Sequence, residues 1–313
     1  MAESKSAALL VVGDCNPDLV LRGGHLTPRF GQVEQLVDRA ELTVGGSASI
    51  TACGAARLGT RTYLAGLVGR DTFGEDLSRR VAERGVRTDW LQSVSGVETG
   101  LSVILSQGEG RAILTFRGGI AEFGATDVPP DALDAAAHLH VSSYYLQPTL
   151  QTGLADLLVA ARRRGVSTSL DPGWDPAERW NGVSELLPLL DLILPNEQEA
   201  RHLARTDDVQ AAARQLHSGG CDVVVKLGAR GALVHAEELR STVPAPEVDV
   251  VDTTGAGDTF AAALLAWRLR GASLESSVRA GCTAGALSTR RDGGVEAQPD
   301  LDELERALAG QTP

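Results

Sequence analysis

Lysine is almost missing from this chain of 313 residues: Lys5 and Lys226 are the only two, and arginine supplies nearly all the positive charge. At a formal net charge of −12, the chain lacks the basic footprint that general nucleic-acid binding needs. No Arg/Lys patch with interleaved aromatics offsets this, and Arg162-Arg163-Arg164 reads as a solvated helix end. Aromatic residues are scarce at 4%, which leaves little material for a slot that grips a nucleobase. Cys15, Cys53, Cys221 and Cys282 are scattered, with no C-x-x-C pair. A zinc site or a redox motif is therefore disfavoured, and buried small residues are expected. No His-Glu-x-x-His motif occurs, and His138, His140, His202 and His217 read as structural or surface residues. No apolar run reaches the roughly 18 residues of a membrane span. Met1 to Ser6 lacks the basic start and cleavage site of a signal peptide, so a cytoplasmic protein with no membrane partner is expected.

What remains is 43% hydrophobic and 22% charged, suited to a globular α/β fold. Strand-like and helix-like runs alternate. Strands are predicted at Ala8 to Val12, Thr62 to Leu67, Leu139 to Ser143, Thr168 to Asp171, Leu192 to Leu194 and Val223 to Lys226, with Ala232 to His235 pairing nearby. Helices are predicted at Ala48 to Leu58, Gly74 to Arg84, Leu150 to Arg164, Glu197 to Ala204, Val209 to Ser218, Thr259 to Arg270 and Ser276 to Thr289. Such alternation implies a mostly parallel central sheet flanked by helices in three layers, with ligands at the carboxyl ends of the strands. Two segments break the rhythm, at about 17–43 and 97–123. Ser102 to Leu105 and Ala112 to Phe116 form a hairpin-like pair around Gln107-Gly108-Glu109-Gly110. A small β lid on a single domain spanning 1–313 is the expected arrangement. Its strand edges invite pairing between subunits, hence a homodimer through the lid.

Asp252-Thr253-Thr254-Gly255-Ala256-Gly257-Asp258-Thr259-Phe260 carries the most chemistry. It follows a strand-like run, Val248 to Val251, and opens a long apolar helix. A glycine-rich turn at a helix start directs free N–H groups of Gly255, Ala256 and Gly257 to one point, where the helix dipole adds positive potential. Asp258 sits inside this anion hole. An acid there makes sense if it removes a proton from the group that attacks the anion, which points to phosphoryl transfer to a hydroxyl.

Other motifs lie at predicted strand ends. Gly45-Gly46 precedes a helix and allows close approach of a ligand or of neighbouring backbone. Asp14, Asn16 and Asp18 suit recognition of several hydroxyls, or form an Asx-rich turn. Asn196 and Glu199 have capping-box spacing and also suit a place near hydrated magnesium and phosphates. Lys226 ends a buried strand and needs an anionic partner, either a phosphate or a carboxylate, while Gly228 and Gly231 make a turn that can border a nucleotide. No P-loop exists, and Phe260 breaks the dinucleotide fingerprint G-x-G-x-x-G.

Together these segments resemble the ribokinase-like (PfkB) family of carbohydrate and nucleoside kinases, from Gly13 to about Gly294. The resemblance implies ATP and Mg²⁺, with Asp258 as general base and the Gly255–Gly257 turn stabilising the transferring phosphoryl group. It implies that Asn16, Asp18, Gly45 and Gly46 face the acceptor, and that Asn196, Lys226, Gly228, Gly231 and Cys282 border the nucleotide. Glu199 would act on magnesium through water, and Asp252 and Thr254 match a K⁺ site found in many members. Ile50 stands where many members have Asn, a departure at the acceptor end. Arg117 would pair with the carboxylate of a sugar acid or remain a solvated lid residue. The implied activity is phosphorylation of a small sugar or sugar acid. The competing readings are a nucleoside kinase of the same fold and a non-catalytic sensor.

Overall fold

The computed structural model describes residues 7–107 and 110–310. Met1 to Ser6, Gly108, Glu109 and Gln311 to Pro313 lie outside the described residues, and with them the middle of the expected hairpin around Gln107-Gly108-Glu109-Gly110. The strands are β1 (Leu9–Val12), β2 (Asn16–Arg22), β3 (Arg39–Gly45), β4 (Thr62–Gly69), β5 (Arg87–Val94), β6 (Leu101–Gln107), β7 (Gly110–Phe116), β8 (His138–Val141), β9 (Ser167–Leu170), β10 (Leu192–Ile193), β11 (Asp222–Lys226), β12 (Ala232–His235) and β13 (Arg240–Val243). The helices are α1 (Ser47–Arg57), α2 (Thr72–Glu83), α3 (Gly119–Glu122), α4 (Pro130–Ala135), α5 (Pro148–Arg163), α6 (Val183–Leu186), α7 (Glu197–Ala204), α8 (Val209–Ser218), α9 (Ala256–Leu269), α10 (Leu274–Ser288) and α11 (Leu301–Ala309).

The large sheet runs β13-β12-β11-β10-β9-β8-β1-β4-β5, parallel from β11 to β5, with β12 and β13 antiparallel at one edge. The central strand β1 and the short β10 are apolar and buried on both sides because both faces of the sheet are covered. Alternate residues enter different cores, as the period of two requires. Leu10 and Val12 belong to the core that also takes in residues of α4, α5, α7 and α8, whereas Leu9 and Val11 belong to the core that takes in residues of α1, α2, α9 and α10. The three-layer arrangement is therefore the expected one. The polar residues of β8 are structural, as expected from sequence. His138 bridges the Ser167 and Ser169 hydroxyls, His140 meets Ser169, and burial pushes both imidazoles down to about 3, which keeps them neutral. All four cysteines are buried and free.

The small sheet, β3-β2-β6-β7, comes from the two segments that break the rhythm. It is rooted beside β1: β2 begins after Gly13-Asp14-Cys15, and β3 ends at Gly45, next to α1. Its two faces differ. Asn16, Asp18, Val20, Thr43, Ser102 and Ile104 are buried on one face. On the other face Leu19, Leu21, Leu42, Val103 and Leu105 are half-buried, and Leu114 and Phe116 are 61% and 51% exposed.

One predicted strand does not form. Val248 to Val251 has no ladder partner, and Val250 and Val251 are exposed. The segment runs past β13 and is held instead by Val251 and Asp252 amides on the Thr289 carbonyl. Its apolar β-branched residues mimic a buried strand locally, but the sheet already ends at β13.

Candidate active site

The turn before α9 is set by Gly255, which caps the helix with a left-handed backbone (φ 71°). A Cβ there would also lie 2.6 Å from the Gly294 carbonyl oxygen, so both conformation and space demand glycine. The amides of Gly255 and Gly257 have no hydrogen-bond partner among the described residues, while the Ala256 amide turns back to the Thr253 carbonyl at 3.3 Å. Of the three amides expected to face an anion, those of Gly255 and Gly257 are thus unengaged. Asp258 is the third residue of α9 and half-buried. Burial, then the neighbouring Asp171 charge, pushes its carboxyl up to about 7, against the opposing pull of Lys226 and the Ser47 hydrogen bond.

A second wall comes from the ends of β9, β10 and β11. Lys226 closes β11 and forms an ion pair with Asp171, the residue after β9, with side chains 13% and 7% exposed. Asp171 is thus a carboxylate partner of the kind that Lys226 calls for from sequence. Its ammonium also lies 3.4 Å from where a Cβ on Gly257 would stand, which brings the cation to the α9 turn. Asn196 and Glu199 form the expected capping box: the Glu199 amide donates to Asn196 Oδ1 (2.9 Å) and the Asn196 amide to Glu199 Oε2 (2.8 Å). Glu199 is buried, and that burial, followed by the Asp171 charge, raises its carboxyl to about 7.

The third wall is the junction of small sheet and α1. Asn16 donates to Asp18 Oδ1 (3.0 Å) and to the Ser102 hydroxyl (3.2 Å). Asp18 lies so close to β3 that a Cβ on Gly45 would fall 2.0 Å from its Oδ1, so packing accounts for this glycine. Burial, then the charges of Asp14 and Asp258, raises Asp18 to about 7. Asp14 itself is consumed structurally: it accepts from the Ser47 and Ala48 amides (3.0 Å each) and from Ser143. Gly46 caps α1 at φ 76°, against the Asp14 backbone. Ile50 is buried, with its side chain against Gly294.

Three carboxyl groups raised to about 7, unpartnered helix-start amides and a buried ammonium therefore meet at the carboxyl edge of the sheet. Residues 6–301 match the model of the pfkB family carbohydrate kinase. The chain belongs to that family. The kinase is accordingly a phosphotransferase with a hydroxyl acceptor. It is 30% identical to the ribokinase of Mus musculus, over 98% of this chain and 96% of the mouse protein. The structure of Arabidopsis thaliana ribokinase complexed with ribose and ATP matches at TM-score 0.84 and 26% identity, covering 96% of this chain and 98% of that one. The adenosine kinase of Sinorhizobium meliloti matches at TM-score 0.86 and 26% identity, covering 99% and 100%.

The remaining expected residues of the kinase fall in different places. Gly231 and Cys282 converge on one carbonyl: the Cys282 thiol meets Val243 O at 3.7 Å, and a Cβ on Gly231 would overlap the same atom. Gly228 faces open space. Arg117 is exposed after β7, with no side-chain partner among the described residues. The arginine whose charge reaches Asp18 is Arg111, which has no motif around it to mark it in the sequence. Asp171-Pro172-Gly173-Trp174 reads from sequence as a strand-end segment bordering the acceptor pocket, and the pairing of Asp171 with Lys226 carries no sequence signal. Asp252 and Thr254 do not fit the K⁺ site that the family pattern implies. Asp252 Oδ1 accepts from the Thr254 amide (2.9 Å) and hydroxyl (2.7 Å), and Oδ2 accepts from Arg22 (2.7 Å) and the Gly293 amide (3.0 Å). These four donors hold the Asp252 carboxyl below its ordinary value despite its burial.

Proposed function

We propose that this kinase transfers the γ-phosphoryl group of ATP to a hydroxyl of a small sugar or sugar acid, with Asp258 as the general base. The observation that carries this reading is the Asp258 carboxyl, raised to about 7 and placed in the first turn of α9 beside free amides and Lys226. Asp258 accepts the proton of the acceptor hydroxyl. The freed oxygen bonds to the γ-phosphorus, the bond to the β–γ bridging oxygen breaks, and ADP leaves. The amides of Gly255 and Gly257 and the Lys226 ammonium stabilise charge on the transferring group. Glu199 and Asn196 would hold a magnesium ion through its waters, and the ion would supply charge neutralisation on the nucleotide phosphates. Asn16, Asp18, Gly45 and Gly46 face the acceptor, and Gly228, Gly231 and Cys282 border the nucleotide.

ATP consumption against a panel of sugars, sugar acids and nucleosides tests the reading. Turnover confined to nucleosides would replace it with the nucleoside reading, which the likeness to adenosine kinase favours. Sugar binding without ATP consumption would leave a sensor. The panel also tests Arg117: a preference for sugar acids that disappears in Arg117→Gln supports its pairing with a carboxylate.

A pH profile follows from the same group. With Asp258 as base, kcat/KM rises with pH through an apparent value near 7 and then levels off. A flat profile from pH 5 to 9 would remove Asp258 from this role.

We further propose a single cytoplasmic kinase unit over 1–313, with segments 17–43 and 97–123 as a lid. Among the described residues no helix is long and apolar enough to cross a membrane. The apolar outer face of the lid fits a second copy of the chain, giving a homodimer. Leu114→Lys with Phe116→Lys is expected to yield a monomer by sedimentation equilibrium, against a dimer for the parent chain. A parent chain that sediments as a monomer at micromolar concentration rules the dimer out.

A further inference from the structure

Arg22 is the last residue of β2, where it lies opposite Arg39 of β3. Its guanidinium spans three elements. Nη2 donates to Asp252 Oδ2 at 2.7 Å and lies 3.0 Å from Asp292 Oδ1, and Nη1 donates to the Ser106 hydroxyl of β6 at 3.2 Å. Arg39 takes the other Asp292 oxygen at 3.0 Å. Asp252 is nearly buried (9% exposed) and holds Thr254 through two hydrogen bonds. Thr254 directly precedes Gly255, so this network joins the small sheet to the turn that carries the free amides.

We propose that Arg22 serves as a built-in cation for the α9 turn: it takes the place of a monovalent metal ion on Asp252 and couples the lid to the anion hole. A guanidinium carries a permanent charge and a fixed fork of donors, so its hold on a carboxylate is charge-assisted and directional. A potassium ion on Asp252 would have to displace that bond and sit beside a second cation. The side chain comes from the lid and the carboxylate from the α9 turn, so the charge is present at the turn only while the lid stands over it. Arg22 touches no reacting atom. It is a positioning residue, acting through Asp252 and Thr254 on the amides of Gly255 and Gly257.

This inference rests on the proposed kinase activity for its rate measurement but not for its thermal one. Turnover and Tm are measured in potassium chloride and in tetramethylammonium chloride at equal ionic strength. For the parent enzyme both quantities are expected to be the same in the two salts. Arg22→Gln is expected to lose about tenfold in kcat in tetramethylammonium chloride, the equivalent of one charged hydrogen bond. Its Tm is expected to become higher in potassium chloride, and K⁺ or millimolar guanidinium is expected to restore its turnover. Arg22→Lys, which keeps the charge, is expected to retain most of the rate and serves as the fold control. Several-fold activation or a specific Tm rise of the parent enzyme by K⁺ would overturn the proposal. So would an unchanged kcat in Arg22→Gln, or a loss that neither cation restores. Absence of turnover with every acceptor would defeat the kinase reading alone, and the Tm comparison would still decide the cation.

Discussion

Asp258→Asn is expected to lower kcat by about 10²–10⁴-fold while ATP binding stays largely intact, because general-base catalysis contributes on that scale. Asn keeps the size and the helix position but cannot take a proton. The free amides of Gly255 and Gly257 and the Lys226 ammonium remain to receive the phosphates. Single-turnover kinetics together with direct ATP titration separate the two effects. The variant also carries a stability signature. In the folded state the Asp258 carboxyl is raised from 3.8 to about 7, so its proton is held more tightly there than in the unfolded chain. Stability from this group is full below about pH 4 and is lost as pH rises through about 7. Asp258→Asn is therefore expected to gain stability over the parent at pH 8 and to gain less at pH 5, by denaturant midpoint. Comparing variant with parent isolates this group from His138 and His140, which are lowered to about 3 and titrate in the opposite sense. Near-normal turnover in the variant would end the assignment of Asp258 as base.

Lys226→Met is expected to cost about 3–5 kcal/mol of stability and most of the turnover. The stability loss comes from Asp171, left 7% exposed and without its ammonium, and from Glu199 and Asp258, whose ionised forms the same cation favours. The apparent value governing kcat/KM is expected to move upward for the same reason. A double variant, Lys226→Met with Asp171→Leu, separates the two roles. Removing both charges of a buried pair is often neutral, so stability is expected to return while turnover does not. If turnover returned together with stability, Lys226 would be a structural residue only.

The site was unequally legible. The α9 turn is local: Gly255, Ala256, Gly257 and Asp258 are consecutive, and their chemistry follows from a helix start in a glycine-rich stretch. The Asn196 and Glu199 capping box is local too, and it forms as its spacing predicts. The partners of these residues are not local. Asp171 meets Lys226 across 55 positions, and Arg22 meets Asp252 across 230. No periodicity or motif links such pairs, so the family resemblance could imply K⁺ at Asp252 and Thr254 while the arginine bonded to Asp252 stayed invisible in the sequence. Val248 to Val251 failed as a strand for a related reason: composition is local, whereas a ladder partner depends on where the sheet ends.

The sequence by itself determined the alternation of strands and helices, the parallel sheet they imply, and the chemical character of the α9 turn. These depend on side-chain period and on glycine conformation, which act within a few residues. Only the tertiary structure decided which acids hold their protons more tightly, which cation Asp171 and Asp252 meet, and that Asp14 is occupied in holding α1. Burial and Coulomb interactions depend on distance in space, and the small sheet brings Arg22 and Asp18 to the α9 turn by a path that sequence spacing does not encode.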